Sequence, residues 1–230
     1  MKKVGVVMAK GGAGKSTLVR HLAVAAHQED LATVVLDTDP QGTLQDWAER
    51  RNGQEPHVVT EYSTNPDRIA KAFERIEAAG ADLLVVDTQG QHSPIATNVA
   101  MRCDLVLIPM KPTPEDLKAV PATIDMLRLH KIPHHVVLSQ CPWNTPRPKA
   151  EAYSLLNKLK VPVWMGAIHL KDAIPSSWIA GQTVLELEGL SRAEEKSVEE
   201  FRSLWTWVRR ELGLKVSQLV ATQPGEMVRT

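Results

Sequence analysis

A glycine-rich segment near the start of the chain combines the residue types that bind a phosphate group. The segment consists of Lys10, Gly11, Gly12, Ala13, Gly14, Lys15, Ser16 and Thr17. It follows a short apolar run and precedes a stretch with helical periodicity, which is the context that a phosphate-binding loop requires. Glycines let consecutive backbone N–H groups turn toward phosphate oxygens, and the N-terminus of the following helix adds a favourable dipole. The alternative is a glycine-rich turn that only joins a strand to a helix.

The side chains of this segment suit the phosphates and the metal ion of a nucleotide. We expect Lys15 to reach the β- and γ-phosphates, Ser16 to bind Mg²⁺ through its hydroxyl, and Thr17 to lie near the α-phosphate. The segment therefore predicts a Mg-dependent nucleotide site.

Aspartates end two further apolar runs. The run VVLDTDP contains Asp37 and Asp39, and the run ADLLVVDTQG contains Asp87 and Gly90. A carboxylate at the end of a β-strand is well placed beside a metal ion or an attacking water. The second run has the Walker B pattern, in which Asp87 holds Mg²⁺ through a water molecule and Gly90 offers a backbone N–H to the γ-phosphate. Asp37 and Asp39 have an alternative role, which is to cap the helix that follows them.

The glycine-rich segment departs from the usual phosphate-loop pattern in a way that is typical of one family. Ala9 stands where the pattern G-x-x-x-x-G-K-[ST] has its first glycine, and the segment reads KGGxGK[ST]T instead. This deviant Walker A motif resembles that of the ParA/MinD ATPases. The resemblance implies that Lys10 reaches across a dimer to the nucleotide of the partner subunit. Without the motif, a solvated loop lysine would be the simpler interpretation.

The aspartate segments extend the resemblance. VVLDTDPQGTLQDW is similar to the family's D-x-D-P-Q segment, which implies that Asp39 orients the attacking water and Asp37 supports the magnesium shell. Family members usually have D-T-P-P or D-T-P-G where this chain has Gln89, so the details of switch closure stay open. D-T-x-G variants occur among ParA-like proteins, including one that assists DNA transfer by conjugation-like machinery.

Two later segments agree with the family in register. They are VLIPMKPTPEDLKAV and AIHLKDAIPSSWIAGQTVLEL, and the resemblance spans residues 3 to 212. The family's asparagine near the adenine corresponds to Ser139 or Gln140, which leaves the base contacts unassigned.

Short apolar runs alternate with helical stretches, which is typical of a mostly parallel sheet covered on both faces. Strands are predicted at 4–8, 33–37, 57–60, 82–87, 104–109, 134–140 and 162–168. Helices are predicted at 16–28, 42–51, 66–79, 94–102, 114–130, 149–159 and 193–212. We therefore expect an α/β fold, a single doubly wound domain over 1–214 with about seven or eight strands. Residues 215–230 are expected to form a flexible tail, and the prolines at 142, 146 and 148 a surface loop.

Composition limits the class of protein. Lys+Arg and Asp+Glu both number 27, so bulk charge does not indicate a nucleic-acid partner and any basic surface must be local. Cys103 and Cys141 are the two cysteines, without the spacing of a zinc site or a disulfide framework. Since no apolar run approaches the roughly 20 residues of a membrane span, we expect a cytoplasmic protein that does not bind membranes.

The resemblance implies a function as well as a fold. A ParA-like protein hydrolyses ATP to ADP and phosphate with Mg²⁺, forms a homodimer around ATP and binds duplex DNA without sequence preference. It is then associated with the nucleoid, and a ParB-like cargo adaptor stimulates hydrolysis. The cargo, whether a plasmid, a chromosome region, a carboxysome-like body or a conjugative complex, stays open. The DNA-binding candidates are Lys149, Arg202 and Arg209, for which the alternative is a solvated helix face.

Other functions remain alternatives. A MinD-like protein would need a basic amphipathic C-terminal helix, and the segment GLKVSQLVATQPGEMVRT fits that poorly. An iron–sulphur reductase of the same fold would use the two cysteines, and a small-molecule ligase or kinase would use ATP without DNA. A scaffold that never hydrolyses ATP is disfavoured by the presence of both Asp39 and Asp87.

Overall fold

A single parallel sheet organises the chain in a computed structural model that describes residues 1–90 and 93–215. Its strands are β1 (Lys2–Val6), β2 (Thr33–Asp37), β3 (His57–Thr60), β4 (Leu83–Asp87), β5 (Leu105–Met110), β6 (His134–Cys141) and β7 (Val163–His169). They are arranged in the order β3-β2-β4-β1-β5-β6-β7, and every pairing is parallel. The strand β1 is therefore central, with β4 and β5 on its two sides.

Eight helices cover the sheet within the described residues. They are α1 (Lys15–His27), α2 (Thr43–Arg50), α3 (Pro66–Ala78), α4 (Pro94–Ala100), α5 (Pro114–Leu129), α6 (Pro146–Lys158), α7 (Ala173–Ile179) and α8 (Arg192–Glu211). One hydrophobic cluster joins α1, α2, α7 and α8 to the sheet. A second cluster joins α3, α4, α5 and α6 to it. The two clusters lie on opposite faces of the sheet.

Burial on both faces explains the sequence of the central strands. All five residues of β4 and all six of β5 are buried, so both strands are almost continuously apolar. Such strands are expected in a parallel sheet whose crossover helices lie on both sides.

Strand register brings the carboxyl ends of four neighbouring strands to one edge of the sheet. Val6 pairs with Asp87 at the end of β4, and Asp37 at the end of β2 pairs with the same Asp87. On the other side of β1, Val6 pairs with Leu107 of β5. The loops that leave β1, β2, β4 and β5 therefore meet at one edge of the sheet, where ligands bind in open α/β folds.

The predicted fold class is confirmed, and two local predictions are wrong. The helix predicted at 149–159 begins at Pro146, because proline is tolerated in the first turn, where a backbone N–H has no intrahelical acceptor. Pro146 and Pro148 thus belong to a helix and not to a loop. The short helix α7 was not predicted, and Pro175 lies in its first turn. The predicted tail lies outside the described residues, apart from Lys215.

Candidate functional site

The glycine-rich segment forms the loop between β1 and α1 and borders a cavity. Gly14 immediately precedes the helix with φ 93°, and Gly12 has φ 71°; both values favour glycine over residues with a Cβ. Ala13 is buried beneath the loop. The cavity measures about 490 Å³ and is lined by Gly11, Gly12, Gly14, Lys15, Ser16, Thr17, Asp39, Gln41, Thr43, Gln89, Gly90 and Gln140. The structure therefore brings most of the predicted nucleotide residues to one place.

Lys15 presents a buried cation to this cavity. The residue is 7% exposed, and its Nζ donates to the carbonyl of Lys10 at 3.4 Å. Burial lowers the pKa of Lys15, while the charges of Asp87 and Asp39 partly oppose that shift. An anionic group in the cavity would favour the charged form and compensate for the lost hydration.

Ser16 and Asp87 form a pair of oxygen ligands. The Ser16 hydroxyl donates to Asp87 Oδ2 at 2.5 Å, and Asp87 Oδ1 accepts the N–H of Thr88 at 3.0 Å. Burial raises the pKa of Asp87 to about 7, with a smaller contribution from the charge of Asp37. Hydroxyl and carboxylate oxygens are the donors that Mg²⁺ prefers, so the pair fits this ion.

Asp37 and Asp39 differ in how their carboxylates are used. Both oxygens of Asp37 accept backbone N–H groups, from Asp39 at 3.0 Å and from Leu44 at 3.2 Å. Leu44 lies in the first turn of α2, so Asp37 has the capping contact considered as its alternative role. Burial raises the pKa of Asp37. Asp39 lines the cavity, where its Oδ1 accepts the N–H of Gln41 at 3.0 Å. Asp39 is therefore the one of the two that faces the cavity.

The loop after β4 touches the loop after β1. A Cβ built on Gly90 would lie 2.9 Å from both the Cα and the N of Gly11, and 3.0 Å from Lys15 Nζ. Only glycine allows this approach, since backbone atoms cannot move aside as a flexible side chain can. Gly90 is thus in a position from which its backbone can reach a group bound beside Lys15.

Lys10 makes a contact that the sequence did not reveal. Its Nζ is paired with Asp116 Oδ1 in the first turn of α5, at a very short distance. The Asp116 side chain is 1% exposed and that of Lys10 is 37% exposed. The segment that contains Asp116 agrees with the family in register, and no motif assigns Asp116 a role. In this structure Lys10 is held by its own subunit.

Two side chains at the end of β6 form hydrogen bonds with the phosphate-binding loop. Ser139 Oγ donates to the carbonyl of Ala13 at 2.8 Å, and Gln140 Nε2 donates to the carbonyl of Gly12 at 2.9 Å. A second cavity of about 220 Å³ adjoins the first and shares Gly14, Thr17 and Gln140 with it. Its remaining lining is Leu18, Arg20, Ser139, Ile168, His169, Leu170, Ile174 and Pro175.

The three candidate DNA-binding residues do not form one patch. Lys149 lies on α6, whereas Arg202 and Arg209 lie on α8, which covers the opposite face of the sheet. Arg209 is 18% exposed and pairs with Glu29 at 2.5 Å. Arg202 is exposed and Lys149 is half-buried.

Two other kinds of feature are absent from the described part of the chain. Residues 1–90 and 93–215 contain no group of three or more His, Cys, Asp or Glu residues that could hold a metal ion alone. A magnesium ion at Ser16 and Asp87 would thus complete its coordination with phosphate oxygens and water, as is usual for this ion. No helix in the same residues is long and apolar enough to cross a membrane.

Comparisons with known proteins agree with this geometry. A model of the VirC1 protein family matches residues 1–201. The chain is 26% identical over 200 residues to maintenance of carboxysome distribution protein A of Halothiobacillus neapolitanus, covering 84% of this chain and 91% of that protein. It is 35% identical over 133 residues to protein ParA of Rhizobium radiobacter, covering 57% and 56% of the two chains.

Solved structures show the same fold. A chain of the MinC:MinD cell division protein complex of Aquifex aeolicus superposes with a TM-score of 0.74 at 16% identity. The superposition covers 94% of this chain and 97% of that one. The chain therefore belongs to the VirC1 family, and it is similar in sequence to ParA and carboxysome-distribution proteins and in fold to MinD.

Proposed function

We propose that the protein hydrolyses ATP to ADP and phosphate with Mg²⁺ and uses the cycle to position a cargo. The observation that carries the proposal is one cavity lined by a buried lysine, by the carboxylate of Asp39 and by Ser16, whose hydroxyl is hydrogen-bonded to the buried Asp87. Each group stands at the carboxyl end of a different strand or at the start of α1, as phosphoryl-transfer chemistry requires.

Positioning and electrostatics account for the catalytic roles. Backbone N–H groups of 11–17 bind the phosphates, with Thr17 near the α-phosphate, and Lys15 compensates the charge on the β- and γ-phosphates. Asp39 accepts a hydrogen bond from the attacking water and orients it toward the γ-phosphate. The N–H of Gly90 stabilises that phosphate. Magnesium, held by Ser16 and Asp87, would neutralise developing charge on the phosphate oxygens, and Asp37 fixes the loop that supports this shell.

The second cavity is the best site for the base. It is mainly apolar, and it joins the phosphate cavity at Gly14, Thr17 and Gln140. A flat heterocycle between Ile168 and Leu18 would bury apolar surface there, which favours binding. Ser139 and Gln140, one of which corresponds to the family's asparagine near the adenine, border this cavity while holding the loop carbonyls.

The cycle of ATP binding and hydrolysis would control assembly. The ATP-bound protein forms a homodimer in which Lys10 reaches the partner's nucleotide, binds duplex DNA through local basic surface, and is released when a ParB-like adaptor stimulates hydrolysis. Relatives named for ParA and for carboxysome distribution support a positioning role, and the family name VirC1 keeps a DNA-transfer cargo among the possibilities.

Hydrolysis is tested directly with a variant of Lys15. Lys15→Gln removes the cation beside the phosphates, so we expect ATP affinity to fall by about 100-fold or more and hydrolysis to be lost. Calorimetry and phosphate release measure the two effects. Lys71→Gln is the matched control, because Lys71 is exposed on α3, away from the cavity. Unchanged affinity in Lys15→Gln would remove the cavity from the mechanism.

A further inference from the structure

Lys111 brings another lysine to the phosphate-binding loop. It immediately follows β5, which pairs directly with β1 and receives a hydrogen bond from Val7 N to the Leu107 carbonyl at 2.9 Å. A Cβ built on Gly12 would lie 3.9 Å from Lys111 Nζ. The ammonium group therefore lies over the backbone of the loop, on the side of β5.

The backbone of Lys111 is anchored independently of its side chain. Its N–H donates to Asp116 Oδ2 at 2.9 Å, while Oδ1 of the same carboxylate is paired with Lys10. Asp116 is itself fixed at the start of α5, where its N–H donates to Thr113 Oγ1 at 3.4 Å. One buried carboxylate thus holds two lysine-bearing segments next to the loop, and substitution of the Lys111 side chain leaves that anchor in place.

The lysine ammonium groups beside the phosphate-binding loop, on the side of β5, are only partly paired with carboxylates. The ammonium of Lys10 is paired with Asp116, whereas within residues 1–90 and 93–215 the ammonium of Lys111 forms no salt bridge. Asp116 pairs with the ammonium of Lys10 and holds only the backbone N–H of Lys111, so within the described residues the ammonium of Lys111 is a positive charge beside the loop that no carboxylate pairs with. A phosphate group is the ligand that such a charge beside a phosphate-binding loop would attract.

We propose that Lys111 binds a terminal phosphate oxygen of ATP. That phosphate is held either by the loop of the same subunit or by the loop of a facing subunit. The proposal rests on the proposed function, which supplies both the nucleotide and the facing subunit. Lysine suits this role because its ammonium acts as a point charge on a flexible chain and needs no fixed approach.

Three variants separate the charge of the Lys111 side chain from any structural role. They are Lys111→Gln, Lys111→Arg and the control Lys71→Gln. Calorimetry at a protein concentration where the wild type is monomeric measures the dissociation constants of ATP and ADP. Light scattering with a non-hydrolysable ATP analogue measures the concentration at which dimers form. Lys111→Gln is expected to weaken ATP binding or dimerisation by about tenfold or more, because a charge-assisted hydrogen bond is lost. Lys111→Arg should keep most of the ATP affinity and most of the tendency to dimerise. Lys71→Gln should match the wild type in both.

The two measurements distinguish the source of the phosphate. Weaker ATP binding with unchanged ADP binding supports contact within one subunit, and weaker dimerisation alone supports contact across two. If both quantities stay within about twofold of the wild type, the role of Lys111 is overturned. It is also overturned if Lys111→Arg loses as much as Lys111→Gln, since charge would then be irrelevant. A wild-type protein that binds no ATP would instead overturn the proposed function itself.

Discussion

The buried carboxyl group of Asp87 illustrates how a ligand site can oppose stability. Burial raises its pKa to about 7, so in the ligand-free protein near neutral pH a fraction of this group is charged without full hydration. A magnesium ion needs the charged form, and binding would therefore release a proton whenever the group starts protonated. The same residue costs stability without the ligand and contributes affinity with it.

Asp87→Asn should consequently stabilise the protein without nucleotide. A folded pKa above the unfolded value means that wild-type stability falls between about pH 4 and pH 7 and is then constant with respect to this group. The asparagine stays neutral and can keep both contacts, because its Oδ1 can accept the N–H of Thr88 while its Nδ2 donates to Ser16 Oγ, which then becomes the acceptor. We expect its advantage in free energy of unfolding to grow by about 1–3 kcal/mol from pH 5 to pH 8. Thermal unfolding without nucleotide measures this difference.

When MgATP is added, the wild type should become more stable than Asp87→Asn. Wild-type protein gains stability from the bound ligand, whereas Asp87→Asn lacks the metal contact and gains less. An Asp87→Asn protein that is less stable than the wild type at pH 8 without nucleotide would contradict the inference that the buried charge of Asp87 destabilises the ligand-free protein.

At the scale of elements, the site depends on two loops that pack against each other. Gly90, after β4, approaches the backbone of Gly11, after β1, to a distance that no Cβ allows. A ligand that contacts one loop is therefore close to the other. The strands β1 and β4, which lead into these loops, are adjacent and paired in register, so the two loops leave the sheet at the same level.

Gly90→Ala should separate these loops. The added methyl group would lie 2.9 Å from Gly11 backbone atoms, so the loop after β4 must move away from the γ-phosphate position. We expect hydrolysis to slow by about tenfold or more, the scale of losing one preorganised N–H donor. Phosphate release under saturating ATP measures this rate. The melting temperature without nucleotide serves as the control, and an unchanged rate would remove Gly90 from the switch.

The alternation of elements could be predicted because each strand and helix has its own local pattern. Continuous apolar runs such as Leu83–Asp87 indicate buried parallel strands whatever the rest of the chain does. The seven predicted strands rest on short apolar runs of this kind. The beginning of α6 was misplaced because prolines indicate turns and helix starts equally well, and Pro146 and Pro148 occupy the first turn.

The site was only partly predictable, for a physical reason. Motif residues such as Lys15 and Asp87 could be predicted because each stands in a local pattern, a glycine-rich loop before a helix or an apolar strand that ends in an aspartate. The contacts of Asp116, Ser139 and Gln140 depend on how β5 and β6 lie beside β1, and no local pattern encodes them. The position of Lys111 over Gly12 arises in the same way.

At the scale of the whole molecule, Lys10 is the residue that we propose to couple the site to assembly. In the present structure its ammonium is held by Asp116, so contact with a partner's nucleotide requires that this pair opens. Two triphosphates that face each other need cations between them, and one lysine from each subunit would supply these. Dimerisation would therefore exchange an internal ion pair for a contact with phosphate.

Lys10→Gln should bind ATP as a monomer and fail to dimerise. The amide can still donate to Asp116, which avoids leaving a buried carboxylate unpaired. Light scattering with a non-hydrolysable ATP analogue should report the mass of one 25.4 kDa chain, and binding to duplex DNA should be lost together with the dimer. Lys71→Gln is again the control. A Lys10→Gln protein that dimerises at the wild-type concentration would show that the lysine has no role in the partner's site.

The ion pair between Lys10 and Asp116 has a further consequence when two identical chains associate. Both chains contain the pair, and a symmetric dimer makes the same exchange in each subunit. Any change in the strength of the pair enters the association free energy twice, so a tenfold effect in one chain becomes about a hundredfold change in the dimer dissociation constant. Substitutions around Asp116 would thus tune the cellular concentration at which the protein assembles, while Lys15, Ser16 and Asp39 stay unchanged.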